Sequence, residues 1–339
     1  MLKNWRLWLG LVISVGFIAL ALRGQDLSQV RHALGEADYR FLPPALLLYF
    51  AGVWVRALRW QALLSPVRRL AVRTLFPVVV IGYMANNILP WRIGEFVRAY
   101  VLREREGIAT SASLATIAVE RICDGLTMLA FLLLASLFVP LDDELRRIAW
   151  GAATVFGILL LVLIAIVASD ALRGRLLALI ARPLPAALAG RLVGLVESFV
   201  GGLRILRSGR ALASVAALSL LAWGLESAMY LTIAPAFRLP LGPPEALLTT
   251  AVANLATLIP STPGYIGVFE TGVGIVVGGL LGYDRALALS YAIVVHAALY
   301  FPITLWGLYY WTRSQFSFGA VRASGKRRTI PVPVRAMND

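Results

Sequence analysis

The sequence predicts an all-α polytopic membrane protein. Of its 339 residues, 59% are hydrophobic and 15% are charged, and its mean hydropathy is +0.78. Soluble domains contain about 45–50% apolar and about 25% charged residues, so a soluble fold of this length could not bury so much apolar surface. The apolar runs are long and continuous, unlike the alternating pattern of a membrane β-barrel. We expect about six full spans plus two re-entrant helical hairpins in a candidate inverted repeat.

A membrane helix needs about 20 mostly apolar residues. The segments that meet this requirement are 7–22, 41–64, 113–139, 148–168, 211–236 and 286–312. The first also resembles a signal peptide, because Lys3 and Arg6 precede a short apolar stretch that ends in Ala-Leu-Ala. We favour an uncleaved span, and both interpretations place the N-terminus in the cytoplasm.

Two further apolar segments are interrupted, and we interpret each as a re-entrant pair of half-helices. Residues 75–89 run into Pro90, and residues 246–259 run into Pro260 before apolar sequence resumes. Proline ends or kinks a helix, and broken backbone at membrane depth must be buried in protein or line a wet cavity.

The two interrupted segments also resemble each other. With three residues inserted in the second, the matching runs are Leu89-Pro90-x-x-Ile93-Gly94-x-Phe96 and Ile259-Pro260-(x5)-Ile266-Gly267-x-Phe269. Inverted repeats with discontinuous helices at their centre are typical of secondary transporters, which bind substrate near the midplane.

The basic residues predict the orientation. The chain carries 32 Lys and Arg against 18 Asp and Glu, and arginines cluster after the second span, after the first interrupted segment, in 168–210 and in the tail. These clusters all become cytoplasmic if the first hairpin enters from the cytoplasm and the second from outside. If each hairpin instead crosses the membrane twice, the basic clusters remain on the same cytoplasmic side.

The predicted organisation is therefore one transmembrane domain, 1–312, and a basic cytoplasmic tail, 313–339, in the plasma (inner) membrane with both termini inside. Region 168–210 is predicted to be cytoplasmic and amphipathic, lying at headgroup level or packing on the ends of the spans. The outer loops would be 23–40, 140–147, 237–245 and 282–285.

The expected partners are membrane lipids with anionic headgroups rather than nucleic acid, because the basic residues lie between apolar runs. Cys123 is the single cysteine, which excludes an intrachain disulfide. The sequence has neither a Cys/His cluster nor a P-loop motif, so we expect no metal and no cofactor.

Ionisable groups inside spans are costly and usually mark a binding pathway. The first group of candidate substrate-binding residues contains Asn86, Asn87, Arg92, Glu95 and Arg98. A half-helix N-terminus beside guanidinium groups suits a phosphate. The alternative is a structural ion pair that holds the hairpin to its neighbours.

The second group is Glu120, Arg121 and Asp124. Glu120 and Asp124 share a helix face, and two like charges on one turn need an arginine, a cation or water nearby. Arg98 and Arg92 are available partners. The alternative is that this turn lies at the membrane interface.

The third group is Ser261, Thr262, Gly264, Tyr265 and Glu270. Glycine permits close backbone approach, and hydroxyl groups can satisfy backbone freed by the break. The alternative for the two hydroxyl residues is helix-breaking chemistry alone.

Four other polar residues in spans are interpreted structurally. Glu226 and His296 are expected to make hydrogen bonds within the bundle. Arg56 and Arg59 are expected to snorkel at the inner end of the second span.

These motifs resemble the lysylphosphatidylglycerol synthase transmembrane-region (flippase-like) family. The matching residues, in order, are Asn87-Ile-Leu-Pro90-x-Arg92-x-Gly94-Glu95-x-x-Arg98, Glu120-Arg121-x-x-Asp124 and Ile259-Pro260-x-x-Pro263-Gly264-x-x-Gly267-x-x-Glu270. The resemblance implies a membrane module that moves a lipid between leaflets. In two-domain members this module is fused to a soluble aminoacyl-transferring domain. The present sequence resembles the flippase half alone, so we expect no synthase activity.

We therefore expect a transporter that moves a phospholipid or polyprenyl-phosphate-type lipid through a polar central cleft. No catalytic motif is found, and a separate lipid-modifying enzyme is a candidate partner. The alternatives are a membrane-embedded enzyme of lipid-linked sugar metabolism and an ion-coupled small-solute transporter.

Overall fold

A computed structural model describes residues 16, 26–89, 93–140, 143–182, 186–203, 208–259 and 263–313. In this part of the chain all regular structure is helical, which confirms the all-α class. The predicted span 7–22 lies almost entirely outside the described residues, and Pro90, Pro260 and 314–339 lie outside them as well. The α-helices are α1 Leu27–Glu36, α2 Leu42–Leu64, α3 Val72–Ile88, α4 Gly94–Glu106, α5 Thr110–Ala135, α6 Asp143–Ala168, α7 Asp170–Ala181, α8 Ala186–Gly202, α9 Gly209–Ile233, α10 Pro243–Ala256, α11 Val268–Gly274 and α12 Arg285–Arg313.

Several helices are long and apolar enough to cross a membrane. Among the described residues there are four such segments: Tyr39–Leu64, Gly209–Phe237, Pro263–Leu280 and Arg285–Arg313. Three of them coincide with spans predicted from the sequence. The predicted spans 113–139 and 148–168 correspond to α5 and α6, each of 26 residues. The chain is therefore a multi-pass membrane protein, and the total of six full spans stays a prediction.

The remaining segment, Pro263–Leu280, contains the second arm of the second interrupted segment. Its 18 residues are apolar enough to cross a membrane, but positive φ angles at Gly264, Tyr265 and Gly267 separate its first turn from the continuous helix that begins at Val268. A 3₁₀ turn at Pro263–Tyr265 leads into α11, and a π-helical stretch at Ile275–Leu280 extends it. The continuous helix after the proline break therefore covers residues 268–280.

Each interrupted segment folds into a helical hairpin. In the first hairpin α4 packs back on α3, and in the second α11 packs back on α10. A glycine lies at each close approach: Gly82 faces the Arg98 side chain, and a Cβ at Gly272 would lie 2.9 Å from the Ala253 Cα. Small residues at these points let the two arms touch. Whether either hairpin is re-entrant stays a prediction.

The two hairpins are joined to the longer helices around one core. Helix α2 packs along α9, α12 packs along α3, and α5 packs against α10. At one end of α12, Val30 of α1 packs with Ala286 and Leu289. The central space is consequently bordered by both hairpins and by α2, α5, α9 and α12.

Region 168–210 packs against the bundle. Helix α8 lies against α5, where the Ser111 and Ser198 hydroxyls are 2.7 Å apart. Leu203, just beyond α8, is fully buried. Of the two predicted placements for this region, the contacts favour packing on the spans.

Candidate functional site

Helix α2 places two arginines in the protein core. Arg56 and Arg59 are 3% and 0% exposed. The prediction that they snorkel to the membrane surface is wrong, because each one finds a buried carboxylate. Arg56 Nη2 lies 2.7 Å from Glu226 Oε2, and Arg59 Nη1 lies 2.6 Å from Asp124 Oδ1. Buried charges persist in proteins when they are paired and hydrogen-bonded in this way.

Glu120 is held by two further guanidinium contacts. Arg98 donates to both of its carboxylate oxygens, at 2.9 and 3.1 Å, and stacks 4.2 Å from the Trp60 ring. Arg59 Nη2 lies 3.5 Å from Glu120 Oε1. Arg98 was predicted from the sequence to be an available partner for this carboxylate, and the two residues are paired in the structure. Because the Glu120 side chain is 1% exposed, protein encloses it on all sides.

Arg121 is the most accessible of the core arginines. Its Nη2 lies 2.6 Å from Glu120 Oε1 and 3.0 Å from Asp124 Oδ2, and its Nε lies 3.6 Å from Glu95 Oε1. The Arg121 side chain is 29% exposed and that of Glu95 23%, whereas the Arg98 side chain is 5% exposed. Arg92, another candidate of the first group, lies outside the described residues.

In the second hairpin, Glu270 has a histidine partner. Its Oε1 lies 2.6 Å from His296 Nδ1 on α12, and its Oε2 accepts a hydrogen bond from the Gly267 N–H at 2.7 Å. The carboxylate therefore caps the start of α11 and ties it to α12.

The turn that precedes α11 depends on glycine. Gly264 has a φ of 77°, in the left-handed region that favours glycine. A Cβ at this position would also lie 2.5 Å from the Tyr300 ring. Ser261 and Thr262 lie outside the described residues.

The two asparagines stabilise the break in the first hairpin. Asn86 Oδ1 accepts a hydrogen bond from the Gly94 N–H at 2.8 Å, which joins the arms. Asn87 Nδ2 donates to Thr304 Oγ1 at 2.8 Å, which joins α3 to α12. Asn86 thereby satisfies a backbone N–H that the interrupted helix would otherwise leave unpaired.

Both hairpins line one polar cavity of about 130 Å³, which we call the first cavity. The first hairpin contributes Asn86 and Asn87, and the second contributes Tyr265 and Phe269. A cavity of this size has room for several waters or one small polar group. Because Arg121 of the second group also lines this cavity, the structure brings members of all three predicted groups to a common space.

Charged residues from the long helices complete this wall. Arg121, Arg56, Glu226 and His296 all line the first cavity. Arg98 and Glu120 lie behind Arg121, and Glu270 lies behind His296, since neither cavity wall includes them.

An adjoining space of about 270 Å³, the second cavity, lies on the other side of Arg121. Glu95 and Asp124 line it together with the apolar side chains of Met128 and Leu258. The residues that line both cavities are Arg121, Trp223, Asn254 and Thr257. These four residues, which we call the shared wall, separate the two spaces.

Sequence reasoning missed several residues of this site. Arg56 and Glu226 are separated by 170 positions, so local spacing could not pair them. Trp223 Nε1 donates to Asp124 Oδ1 at 2.7 Å, and Asn254 lies on the shared wall. The available signal was the rarity of ionisable groups in spans, which marked Glu226 and His296 without indicating their partners. Among the described residues, no three His, Cys, Asp or Glu side chains converge as metal ligands would.

Comparison with known families is decisive for classification. The family model described as the lysylphosphatidylglycerol synthase TM region matches residues 7–307. The chain belongs to this family. The resemblance stated from its motifs is therefore confirmed.

Curated relatives extend this result. The chain is 27% identical over 321 residues to "Glycosyltransferase AglD" of Haloferax volcanii, covering 85% of this chain and 51% of that protein. The chain thus spans about half the length of that relative. It is 28% identical over 294 residues to a "UPF0104 membrane protein" of Methanothermobacter thermautotrophicus, covering 83% of this chain and 85% of that protein.

A third relative, from Pyrococcus horikoshii and also named a UPF0104 membrane protein, is 23% identical over 88% of this chain and 95% of its own length. No solved structure matches this member of the lysylphosphatidylglycerol synthase TM-region family. The comparisons therefore support a membrane protein of this family.

Proposed function

We propose that this chain is a lipid transporter that moves a phospholipid or polyprenyl-phosphate-type lipid between leaflets of the plasma (inner) membrane. The observation that carries the proposal is the first cavity, which both hairpins line inside an apolar helical bundle. Polar and ionisable groups at such depth mark substrate pathways in membrane proteins. Membership of the lysylphosphatidylglycerol synthase TM-region family supports the same role.

In this mechanism the headgroup enters the polar space between the hairpins while the acyl or prenyl chains stay in the bilayer. Arg121 and Glu95 are the charged side chains most open to the two cavities. Arg98 is less suited to hold a phosphate, because Glu120 already occupies its guanidinium fork. Arg92, proposed for the same role, lies outside the described residues.

Movement between leaflets requires that the cavity open to each side in turn. With both termini in the cytoplasm, the two hairpins would enter the membrane from opposite faces. Such an inverted arrangement would allow the cavity to open toward either leaflet. Rocking of one repeat about the other is the usual means of alternating access in such architectures. The first cavity is small, so we expect a headgroup to enter only with this rearrangement.

The experiment uses vesicles that contain the purified chain and acyl-labelled fluorescent lipids, with a membrane-impermeant reductant added outside. If the chain moves lipid, the reductant bleaches more than the outer half of the label. A Thr257→Phe substitution places a ring in the shared wall and should slow this bleaching. Thr154→Phe, on an exposed position of α6, is the matched control. Bleaching no faster than in protein-free vesicles would contradict the proposal.

A second candidate is a membrane enzyme of lipid-linked sugar metabolism. The observation that favours it is the similarity to AglD, which is named a glycosyltransferase and of which this chain spans about half the length. Transfer of sugar from a nucleotide sugar to a polyprenyl phosphate by the purified chain would support this candidate. An ion-coupled small-solute transporter would instead accumulate solute without moving lipid.

A further inference from the structure

Arg121 is an additional cation in the buried charge cluster. Glu120 retains Arg98 at 2.9 Å and Arg59 at 3.5 Å, and Asp124 retains Arg59 at 2.6 Å, whether or not Arg121 is in place. Two arginines therefore neutralise the two buried carboxylates. Arg121 can turn toward another anion while Glu120 and Asp124 each keep an arginine partner. An unpaired buried carboxylate, which would be strongly destabilising, is thereby avoided.

The remaining partner of Arg121, Glu95, makes its longest ion-pair contact. Glu95 lies 3.6 Å from Arg121 Nε and is partly exposed in the second cavity. A phosphate accepts two parallel hydrogen bonds from a guanidinium group at shorter distance than this. An incoming phosphate would thus displace the weakest contact of Arg121.

Arg121 lies where a bound phosphate could reach both cavities. It belongs to the shared wall, together with Trp223, Asn254 and Thr257. A phosphate bound there would face the first cavity on one side and the second cavity on the other. A lipid phosphate likewise has a headgroup on one side and a chain-bearing glycerol or prenyl unit on the other.

The first cavity is suited to an uncharged headgroup. Its carboxylate Glu226 is paired with Arg56 at 2.7 Å, and His296 is paired with Glu270 at 2.6 Å. The rest of the lining is dominated by amides, which donate and accept hydrogen bonds, and by aromatic rings with polar tips. A cationic headgroup would have to compete with Arg56 for Glu226, whereas hydroxyl groups would not.

The second cavity is suited to the apolar part of the lipid. Besides the charged side chains of Arg121, Glu95 and Asp124, its lining includes Met128, Leu255 and Leu258. Leu258 is 54% exposed on the surface of the bundle, so this side opens toward the bilayer. The first methylene groups of a lipid chain would leave the site there.

We propose that Arg121 binds the phosphate of a lipid whose headgroup is uncharged and rich in hydroxyl groups, with the headgroup in the first cavity and the chains at the second. This inference rests on the proposed lipid transport and adds the substrate class and the binding residue.

The experiment compares acyl-labelled phosphatidylglycerol with phosphatidylethanolamine of the same chains in the vesicle assay. Wild type should move phosphatidylglycerol about tenfold faster, because the ammonium group of the other lipid finds no open carboxylate in the first cavity. Arg121→Gln should reduce phosphatidylglycerol movement about tenfold, the effect of one lost charge-assisted contact. Arg40→Gln, at a side chain that is 90% exposed, is the matched control.

Binding is measured separately by native mass spectrometry of protein with added phosphatidylglycerol. Wild type should retain the lipid, Arg121→Gln should lose it, and Glu95→Gln should retain at least as much as wild type. The last variant keeps the inference testable if Arg121→Gln fails to fold, since weaker retention by Glu95→Gln would overturn it. Wild-type retention by a folded Arg121→Gln variant, or equal movement of the two lipids, would also overturn it. Retention that depends on Arg121 without any lipid movement would instead contradict the transport proposal alone.

Discussion

Replacing Arg56 should destabilise the protein more than replacing Arg59, although the two arginines lie one turn apart on α2 and both are buried. In Arg56→Met, Glu226 keeps only a distant contact with Asn254, at 3.4 Å. In Arg59→Met, Asp124 keeps Arg121 at 3.0 Å and the Trp223 indole at 2.7 Å. The two substitutions remove the same side chain and differ in what they leave unpaired.

The magnitude follows from the cost of an unpaired buried charge. Removing one partner of a buried ion pair costs about 3–5 kcal/mol of unfolding free energy. We expect Arg56→Met to fall in this range and Arg59→Met to cost about 1–3 kcal/mol, the range for a lost buried hydrogen bond whose partner keeps other contacts. Adding Glu226→Gln to Arg56→Met removes the unpaired carboxylate and should restore about 0.5–3 kcal/mol.

The single cysteine provides the assay. Cys123 is 7% exposed and lies on α5 beside Asp124, so a thiol-reactive dye labels it when the bundle opens. Denaturant titration in detergent micelles, with labelling as the measure of the unfolded fraction, gives the free energy of each variant. The reasoning is wrong if Arg56→Met lies within about 1 kcal/mol of wild type, or if Arg59→Met is the more destabilised of the two.

Three further outcomes are expected. Gly272→Ala should cost about 1–3 kcal/mol, because its Cβ would lie 2.9 Å from the Ala253 Cα, whereas Gly274→Ala, with open space around it, should be close to neutral in the same labelling assay. Trp223→Phe removes the indole N–H that donates to Asp124 and should cost about 1.5–3 kcal/mol by denaturant titration; a loss below about 0.5 kcal/mol would show that this hydrogen bond matters little. In a Cys123→Ser background, Asp284→Cys should react with a membrane-impermeant thiol reagent added outside, whereas Gly107→Cys should react only when the reagent is inside. The opposite pattern of labelling would contradict the proposed orientation.

The sequence was sufficient for the class of the protein and for its family. Long apolar runs predicted helices at 41–64, 211–236 and 286–312, and the structure has apolar helices long enough to span there. The proline breaks predicted the two hairpins, because proline removes a backbone donor and favours a break in the helix. Proline alone is not sufficient, since Pro77 and Pro302 lie inside α3 and α12. These features depend on local composition, which can be read without knowledge of contacts.

The site was less accessible to sequence reasoning. The proximity of Glu120, Arg121 and Asp124 follows from helical spacing, but the pairing of Arg56 with Glu226 depends on how α2 packs along α9. Arg59 was misinterpreted for the same reason, since a long cationic side chain near a span end favours snorkelling unless a buried carboxylate is present. Likewise Glu270 and His296 lie on different helices, 26 positions apart, so local spacing gives no signal of their contact.

Charged and neutral contacts are unevenly distributed over the described part of the bundle. Ion pairs join α2 to α5 and α9, and α4 to α5. By contrast, α12 is joined to α2 and α9 by neutral hydrogen bonds, from Tyr49 to the Leu299 carbonyl at 3.2 Å and from Tyr291 to the Tyr230 carbonyl at 2.8 Å. Parting desolvated ions costs several times more than exchanging a neutral hydrogen bond. Glu270 and His296 couple α11 to α12. We therefore expect these two helices to move together, at a lower free-energy cost than movement of α2, α4, α5 and α9 relative to one another.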